Sequence, residues 1–315
     1  MSSSGGLHVV LGTGALGRAV ARELLKRGRT VRLVSRSGKG APEGCTGFAA
    51  DVSNVDSATK ACEGAAVVYH TATPDYTKWA ELYPPIQKGV LAACKNTRAR
   101  LVSAESVYMY GAVDGEMTEE SPQKPVTRKG KIRAELARMA MEAHERGEVQ
   151  VALGRAPDFY GPEATVTTIY GERVFYPALA GKTVSVMGRL DNPHTFIYSE
   201  DFARGLVILG ENDAAFGQAW HLPCAKTLTQ RELLTLIFAA AGQKPRVGEA
   251  PSLVFKGLGL FVPIMRELAE MLYQWERPYL FSHAKFERAF GPVTVTPHEQ
   301  AVAATVDWFR KNPAK

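Results

Sequence analysis

Cysteine is scarce in this chain and never paired in sequence. Cys45, Cys62, Cys94 and Cys224 lie far apart, with no Cys-x-x-Cys and no metal-ligand spacing. That excludes a disulfide framework and a zinc ribbon, and it predicts buried or idle thiols in a reducing, cytoplasmic compartment. Long apolar runs are missing too. The greasiest later stretch, 253–265, is broken by Lys256 and Pro263. It falls short of the ~20 residues that cross a bilayer. Residues 1–6 are short, polar and small, so they read as a tail rather than a signal peptide. No internal repeat or low-complexity tract is present. No basic stripe interleaves with aromatic residues, which argues against nucleic acid as a partner. The net charge of +6 is carried by scattered residues and two clusters, Lys26-Arg27-Arg29-Arg32 and Arg128-Lys129-Lys131-Arg133. Such a surface is either a soluble basic coat or an attraction for an anionic small molecule.

What is present is an ordinary globular composition. Hydrophobic residues make up 45% and charged residues 22%, enough apolar material for a substantial core. A length of 315 residues allows one large domain or two modest ones. The chain opens on Leu7-His8-Val9-Val10-Leu11-Gly12-Thr13-Gly14-Ala15-Leu16-Gly17-Arg18-Ala19-Val20. An apolar run meets Gly-x-Gly-x-x-Gly and then a helical period, so this reads as strand, glycine turn and helix. Gly12 permits the tight turn, Gly14 lets the backbone approach a pyrophosphate, and Gly17 lets helix and strand pack closely. The helix start presents unpaired N–H groups and a partial positive charge to that anion.

Further along, spacing predicts strands at 31–35, 47–51, 65–70, 99–103 and 149–154. It predicts helices at 53–63, with Ser53 or Asn54 as cap, at 75–96 with proline interruptions, and at 127–146. Alternation of strand and helix predicts an α/β, Rossmann-type doubly wound parallel sheet with a smaller C-terminal substrate lobe. The dinucleotide-binding domain is expected over 1–160, with segments near 195–225 returning to it, and the substrate lobe over 161–315. Helices at 230–241, 254–275 and 297–310 belong to that lobe. In the second of these, Phe255, Leu258, Phe261, Met265, Leu268, Leu272 and Trp275 recur at helical spacing, and Pro263 should split the helix.

About 20 residues past the glycines, NAD-binding folds carry an acid for the ribose hydroxyl. Here strand two ends in Ser35-Arg36-Ser37, with no carboxylate. Arg36 would pair with a 2′-phosphate that a carboxylate would repel, which favours NADP, with NAD as the other possibility. Asp51 and Val52, after strand three, are placed to meet the adenine.

Four segments then follow in order: Val67-Val68-Tyr69-His70-Thr71-Ala72, Val102-Ser103-Ala104-Glu105-Ser106-Val107-Tyr108-Met109-Tyr110-Gly111, Arg155-Ala156-Pro157-Asp158-Phe159-Tyr160-Gly161-Pro162, and Pro193-His194-Thr195-Phe196-Ile197-Tyr198-Ser199-Glu200-Asp201. Together with the glycine turn they resemble the extended short-chain dehydrogenase/reductase family, and most of all its atypical, NAD-dependent epimerase/dehydratase-like branch. The resemblance covers residues 7 to about 205. It implies that Gly12, Thr13, Gly14, Ala15, Leu16 and Gly17 hold the pyrophosphate, that Thr71 and Ala72 pass under the cofactor, and that Ala156 and Pro157 cross the nicotinamide.

It also implies a Tyr-x-x-x-Lys pair at the start of the long helix, where the lysine lowers the phenol's pKa and bonds the nicotinamide ribose. The equivalent segment here is Thr127-Arg128-Lys129-Gly130-Lys131, and no lysine in the chain has a tyrosine four residues before it. Lys131 matches the lysine and Thr127 stands where the tyrosine is expected. An aliphatic hydroxyl is a far poorer acid than a phenol of pKa ~10. Aligning Val107-Tyr108 with the family's Val-Tyr puts Ala104 at the catalytic serine, flanked by Ser103 and Ser106. Asp158 replaces an asparagine and His194 an arginine, which weakens the case for a sugar-nucleotide substrate.

Tyr108 is the leading substitute for the missing acid, with Ser106, Thr127 and Lys131 as the other catalytic candidates. Tyr76, Asp158, Tyr160, His194 and Tyr198 are candidates for contact with substrate, and Trp79, Phe159 and Tyr273 for the same cleft. His70 reads as a buried histidine. The expected function is an NADP(H)-dependent reductase of a small apolar or aromatic carbonyl, conjugated C=C or quinone-like compound. A non-catalytic NADP-binding sensor or scaffold is the alternative from another class, and a sugar-nucleotide epimerase or dehydratase ranks below it. A homodimer is possible.

Overall fold

Seven runs rich in valine, leucine and alanine pair side by side in the computed structural model, which describes residues 6–251 and 261–314. They are β1 (Leu7–Leu11), β2 (Thr30–Ser35), β3 (Thr46–Ala49), β4 (Ala65–His70), β5 (Arg100–Ser106), β6 (Val151–Ala156) and β7 (Gln218–His221). Every pairing is parallel, and the order across the sheet is β7-β6-β5-β4-β1-β2-β3. The winding direction reverses between β1 and β4, which opens a crevice outside the carboxyl ends of those strands.

Helices cover both faces because buried parallel strands need apolar cover on each side. On one face α1 (Ala15–Lys26) packs with α6 (Ser199–Glu211) over Val10, Val102, Ala152 and Ile197. On the other, α2 (Val55–Cys62), α3 (Trp79–Thr97) and α4 (Arg128–Glu145) cover Val9, Val68, Leu101 and Val151. A second core gathers Phe175, Leu233, Leu234, Ile237, Phe238, Trp275 and Phe309. It lies among α5 (Glu172–Leu179), α7 (Gln230–Ala241) and the helix His298–Lys311. Among the described residues no helix is long and apolar enough to cross a membrane.

Two strands run further than their spacing predicts. The register pairs Leu101 through Ser106 with Val151 through Ala156, so β5 and β6 reach the crevice together and put Ser106 beside Ala156. The 75–96 region divides into a short 3-10 turn, Tyr76–Lys78, and α3. Pro84 and Pro85 lie inside α3 and remove two helical hydrogen bonds. Asn54, not Ser53, caps α2 by accepting from the Ser57 amide. In the 254–275 stretch, Phe255 and Leu258 fall outside the described residues. Pro263 starts the helix Pro263–Glu270, where a missing N–H costs nothing. Phe261 is 85% exposed and leaves the expected apolar stripe, whereas Leu272 and Trp275 are buried.

Candidate active site

The first crossover is shaped by what a side chain would hit. Gly12 has φ +113°, and an added Cβ would stand 2.9 Å from the Ala72 amide nitrogen. A Cβ on Gly17 would stand 1.9 Å from the Gly12 carbonyl oxygen, so the helix can approach the strand only with glycine there. Gly14 differs: a Cβ there meets nothing within 4 Å. It caps α1 with no side-chain hydrogen bond and no acid in the first turn. The open space therefore faces uncapped amide donors, which is what a pyrophosphate requires. Thr71 donates its hydroxyl to the Leu11 carbonyl at 2.9 Å and closes the floor. Gly12, Gly14, Gly17, Thr71 and Ala72 are thus brought together and fit a dinucleotide, with Thr13, Ala15 and Leu16 in the same turn.

At the adenosine end Arg36 is exposed just past β2. Asp51 is exposed after β3, and its Oδ1 accepts from the Ser53 amide and hydroxyl. Those bonds, with the Arg36 charge as a smaller cause, hold its carboxyl below the usual range. Val52 is half-buried beside it. Arg18 and Arg22 on α1 pair with Glu163 at 3.4 and 2.9 Å, and Arg22 also meets Glu200 at 2.7 Å. These pairs tie α1 to the loop after Tyr160, and nothing local in the sequence announced them.

The start of α4 corrects the expectation for Lys131 and Thr127. The buried residues of this helix are Lys129, Gly130, Arg133, Leu136, Ala137, Ala140 and Ala143. Lys131 lies about 200° around the helix from Lys129 and Arg133, and it is exposed. It turns away from the crevice. Thr127 spends its hydroxyl accepting the Gly130 amide at 3.0 Å, as the helix cap. The buried pair at i and i+4 is Lys129 and Arg133. Its signal was available: the apolar positions 136, 137 and 140, extended back one turn and then another, land on 133 and 129.

Lys129 Nζ donates to the Tyr76 carbonyl at 2.6 Å, pairs with Glu267 at 2.6 Å and sits 3.8 Å from the Tyr76 ring centre. Burial lowers the Lys129 pKa, and the Glu267 bond opposes that shift. Glu270, one turn on, accepts the Arg128 and Lys129 amides at 3.1 and 3.3 Å. The helix Pro263–Glu270 thus supplies the carboxylates that the start of α4 lacks. Arg133 rests on the rings of Trp79 and Tyr83 at 4.6 and 4.7 Å.

Aromatic rings continue from there. Trp79 packs edge-on to Tyr76 and Tyr83 and stacks on Tyr108. Desolvation pushes the Tyr108 phenol well above its ordinary value, and its hydroxyl bonds Tyr76. Tyr108 is therefore a neutral hydrogen-bond donor and a weaker acid than a solvated phenol. Asp158 accepts from His194 Nε2 at 3.0 Å. His194 stacks on Trp275, 3.9 Å away and nearly parallel, and on Tyr279 at 4.8 Å. The Asp158 charge also raises the phenols of Tyr108, Tyr273 and Tyr279, behind desolvation. It therefore sits among them.

Other candidates are committed elsewhere. Tyr160 is buried and its hydroxyl bonds His298 Nδ1 at 2.8 Å, so it does not line the cleft. Tyr198 packs on Tyr160 at 6.0 Å and precedes α6. Phe159 packs edge-on to Phe202 in the sheet core. Tyr110 belongs to a buried network with Arg155, His221 and, through Arg155, Glu105. Burial lowers His70 to about 4, helped by Arg133, so it is neutral near pH 7. Ser106 Oγ is buried without a partner.

Comparison with known proteins bears on the fold and the family. A 3beta-hydroxysteroid-dehydrogenase/decarboxylase isoform 2 of Arabidopsis thaliana is 24% identical over 300 residues. The match takes in 83% of this chain and 51% of the relative, so the chain spans about half the length of that protein. The dTDP-glucose 4,6-dehydratase of Streptomyces venezuelae, solved with NAD, superposes with a TM-score of 0.78 at 20% identity, covering 97% of each chain. An epimerase of Methanothermobacter thermautotrophicus gives a TM-score of 0.82 at 17% identity, covering 98% of this chain and 93% of the other. A UDP-glucuronic acid 4-epimerase of Bacillus cereus, also solved with NAD, gives 0.79 at 16%, covering 98% and 100%. These likenesses establish the fold. Residues 9–221 match the NAD dependent epimerase/dehydratase family, and the chain belongs to it.

Proposed function

We propose that the protein is a hydride-transferring oxidoreductase that uses a nicotinamide dinucleotide, NADP(H) before NAD(H). Its substrate is a small apolar or aromatic carbonyl, conjugated C=C or quinone-like compound. One observation carries the reading: a complete glycine cradle adjoins a helix start that faces inward with Lys129 and Arg133, among aromatic rings and without a phenol of its own. A bound nicotinamide would donate or accept hydride. Gly12 through Gly17, Thr71 and Ala72 would hold the pyrophosphate, Arg36 the 2′-phosphate, and Ala156 and Pro157 the nicotinamide side. Hydride addition to a conjugated system spreads negative charge over several atoms, so a strong local acid matters less. Neutral donors such as Tyr108 stabilise that charge, and water supplies the proton later. The curated relative's name, a hydroxysteroid dehydrogenase, supports a ring-shaped apolar substrate.

Family membership favours a second reading, epimerisation or dehydration of a sugar nucleotide. Asp158 weighs against it, since a carboxylate repels a diphosphate. A single assay separates the two. Purified protein with NADPH or NADH is offered enones, quinones, ketones, UDP-glucose and dTDP-glucose, and cofactor absorbance and sugar products are followed. Oxidation of NADPH by an apolar acceptor is expected. Conversion of a sugar nucleotide alone would replace the reading, and binding without turnover would favour a sensor. Arg36→Ala should weaken NADPH by about tenfold and leave NADH nearly unchanged, since a charge-assisted phosphate contact is worth ~1.5–3 kcal/mol. Equal losses would remove Arg36 from the 2′-phosphate.

A further inference from the structure

Not every charge buried around the crevice has a partner of opposite sign within reach. Lys129 is neutralised by Glu267 at 2.6 Å and Arg155 by Glu105 at 3.1 Å. Asp158 is bonded to His194, Glu270 is spent on the α4 amides, and His70 is neutral. Arg133 is left over. It is 8% exposed, forms no ion pair among the described residues, and its Nε has no hydrogen-bond partner. The indole N–H of Trp79, 4% exposed, is likewise without a partner, and that ring carries the Arg133 guanidinium at 4.6 Å. A buried cation and a buried donor are both costly when unsatisfied. Two such groups in contact, walled by half-buried Tyr76 and Tyr108, describe a binding site for a planar anion.

We propose that Arg133 and the Trp79 indole N–H form a carboxylate-binding site, so that the substrate is an aromatic or otherwise apolar monocarboxylic acid. A guanidinium matches a carboxylate's geometry, and the indole N–H of the ring it stacks on is a second donor without a partner. A monoanion adds one negative charge beside a guanidinium that has no ion pair among the described residues; a phosphate dianion would add two close to Asp158. The proposal deepens the oxidoreductase reading and rests on it for the fate of the bound acid. The anion site itself stands on these two side chains.

The test uses the full chain with 15N-labelled tryptophan. Sodium benzoate and 2-naphthoate are titrated against it, with methyl benzoate as the neutral control. The Trp79 indole resonance, assigned by its loss in Trp79→Phe, should shift saturably with the acids and not with the ester. Arg133→Met should weaken 2-naphthoate by about tenfold or more, and Trp79→Phe, which keeps the ring, by about threefold or more. Arg133→Met should also keep its Tm at or above that of the parent, because it removes an uncompensated buried charge. NADPH affinity, read by cofactor fluorescence, should stay within about twofold in both variants, well under the tenfold that a charged contact is worth. An unmoved indole signal, or equal naphthoate binding in both variants, overturns the site. So does a fall in the Arg133→Met Tm, which would reveal a counter-ion already in place. Loss of NADPH affinity with naphthoate binding intact would reassign Arg133 to the cofactor. Naphthoate binding without any dinucleotide binding would instead sink the oxidoreductase reading and leave the anion site standing. If Arg133→Met does not fold, Trp79→Phe and the indole shift still decide.

Discussion

At Gly17 one added carbon would press into the Gly12 carbonyl, whereas at the start of α4 whole side chains stand where the resemblance predicts others. The two ends of the crevice are held by different means. The cradle is set by sterics over a few residues, and its polar contacts are main-chain groups. The α4 end is set by charge and ring packing between segments far apart in sequence, with Lys129, Tyr76, Trp79 and Glu267 as partners. A backbone device tolerates little change. A side-chain device leaves more room for substitution.

The contrast can be broken first at the glycines. Gly17→Ala should cost about 3 kcal/mol or more, because strand and helix must separate; a denaturant midpoint close to the parent's would refute the steric account. Acidification probes the other end. His70 is held to about 4 against an ordinary 6.5. Between those values the unfolded chain takes up a proton that the folded chain refuses, so stability is intact above pH 6.5 and drains away towards pH 4. The loss is about 3 kcal/mol at pH 4 for this group. His8, also near 4, and His221, near 3, act in the same direction. Urea titrations at pH 4 to 7 should show a shallower dependence for His70→Asn, and parallel curves would dismiss the assignment.

Gly14→Ala sharpens the comparison, since its new methyl meets only open space. Stability should stay within about 0.5 kcal/mol while dinucleotide affinity falls about tenfold; calorimetry showing undiminished affinity would move the pyrophosphate elsewhere. Thr127→Ala should cost about 1 kcal/mol, the value of a helix cap, with no selective effect on catalysis. Lys131→Ala should change neither melting nor turnover beyond about 0.5 kcal/mol, as for any exposed helix position. A large drop in turnover there would restore Lys131 to the crevice.

How legible each part was follows from the range of its causes. The glycine turn depends on contacts within a few residues and could be read directly, as could the spans of β4 and α7. The inward face of α4 was misread because a four-residue spacing fits two lysine-containing registers. Only the apolar positions 136, 137 and 140 say which one points in. Glu267 and Glu270 could not be anticipated, since no local pattern links an acidic pair after Pro263 to a helix start near residue 128. The Asp158–His194 bond joins two positions that resemblance marked only as departures.

The two glutamates of the helix Pro263–Glu270 couple distant parts of the chain. The counter-charge of the α4 lysine comes from a segment more than a hundred residues further along the chain. Substitutions of Glu267 or Glu270 therefore reset the ionisation of Lys129 on the facing helix. A change at either segment is thus felt by both, and neither can be altered in isolation.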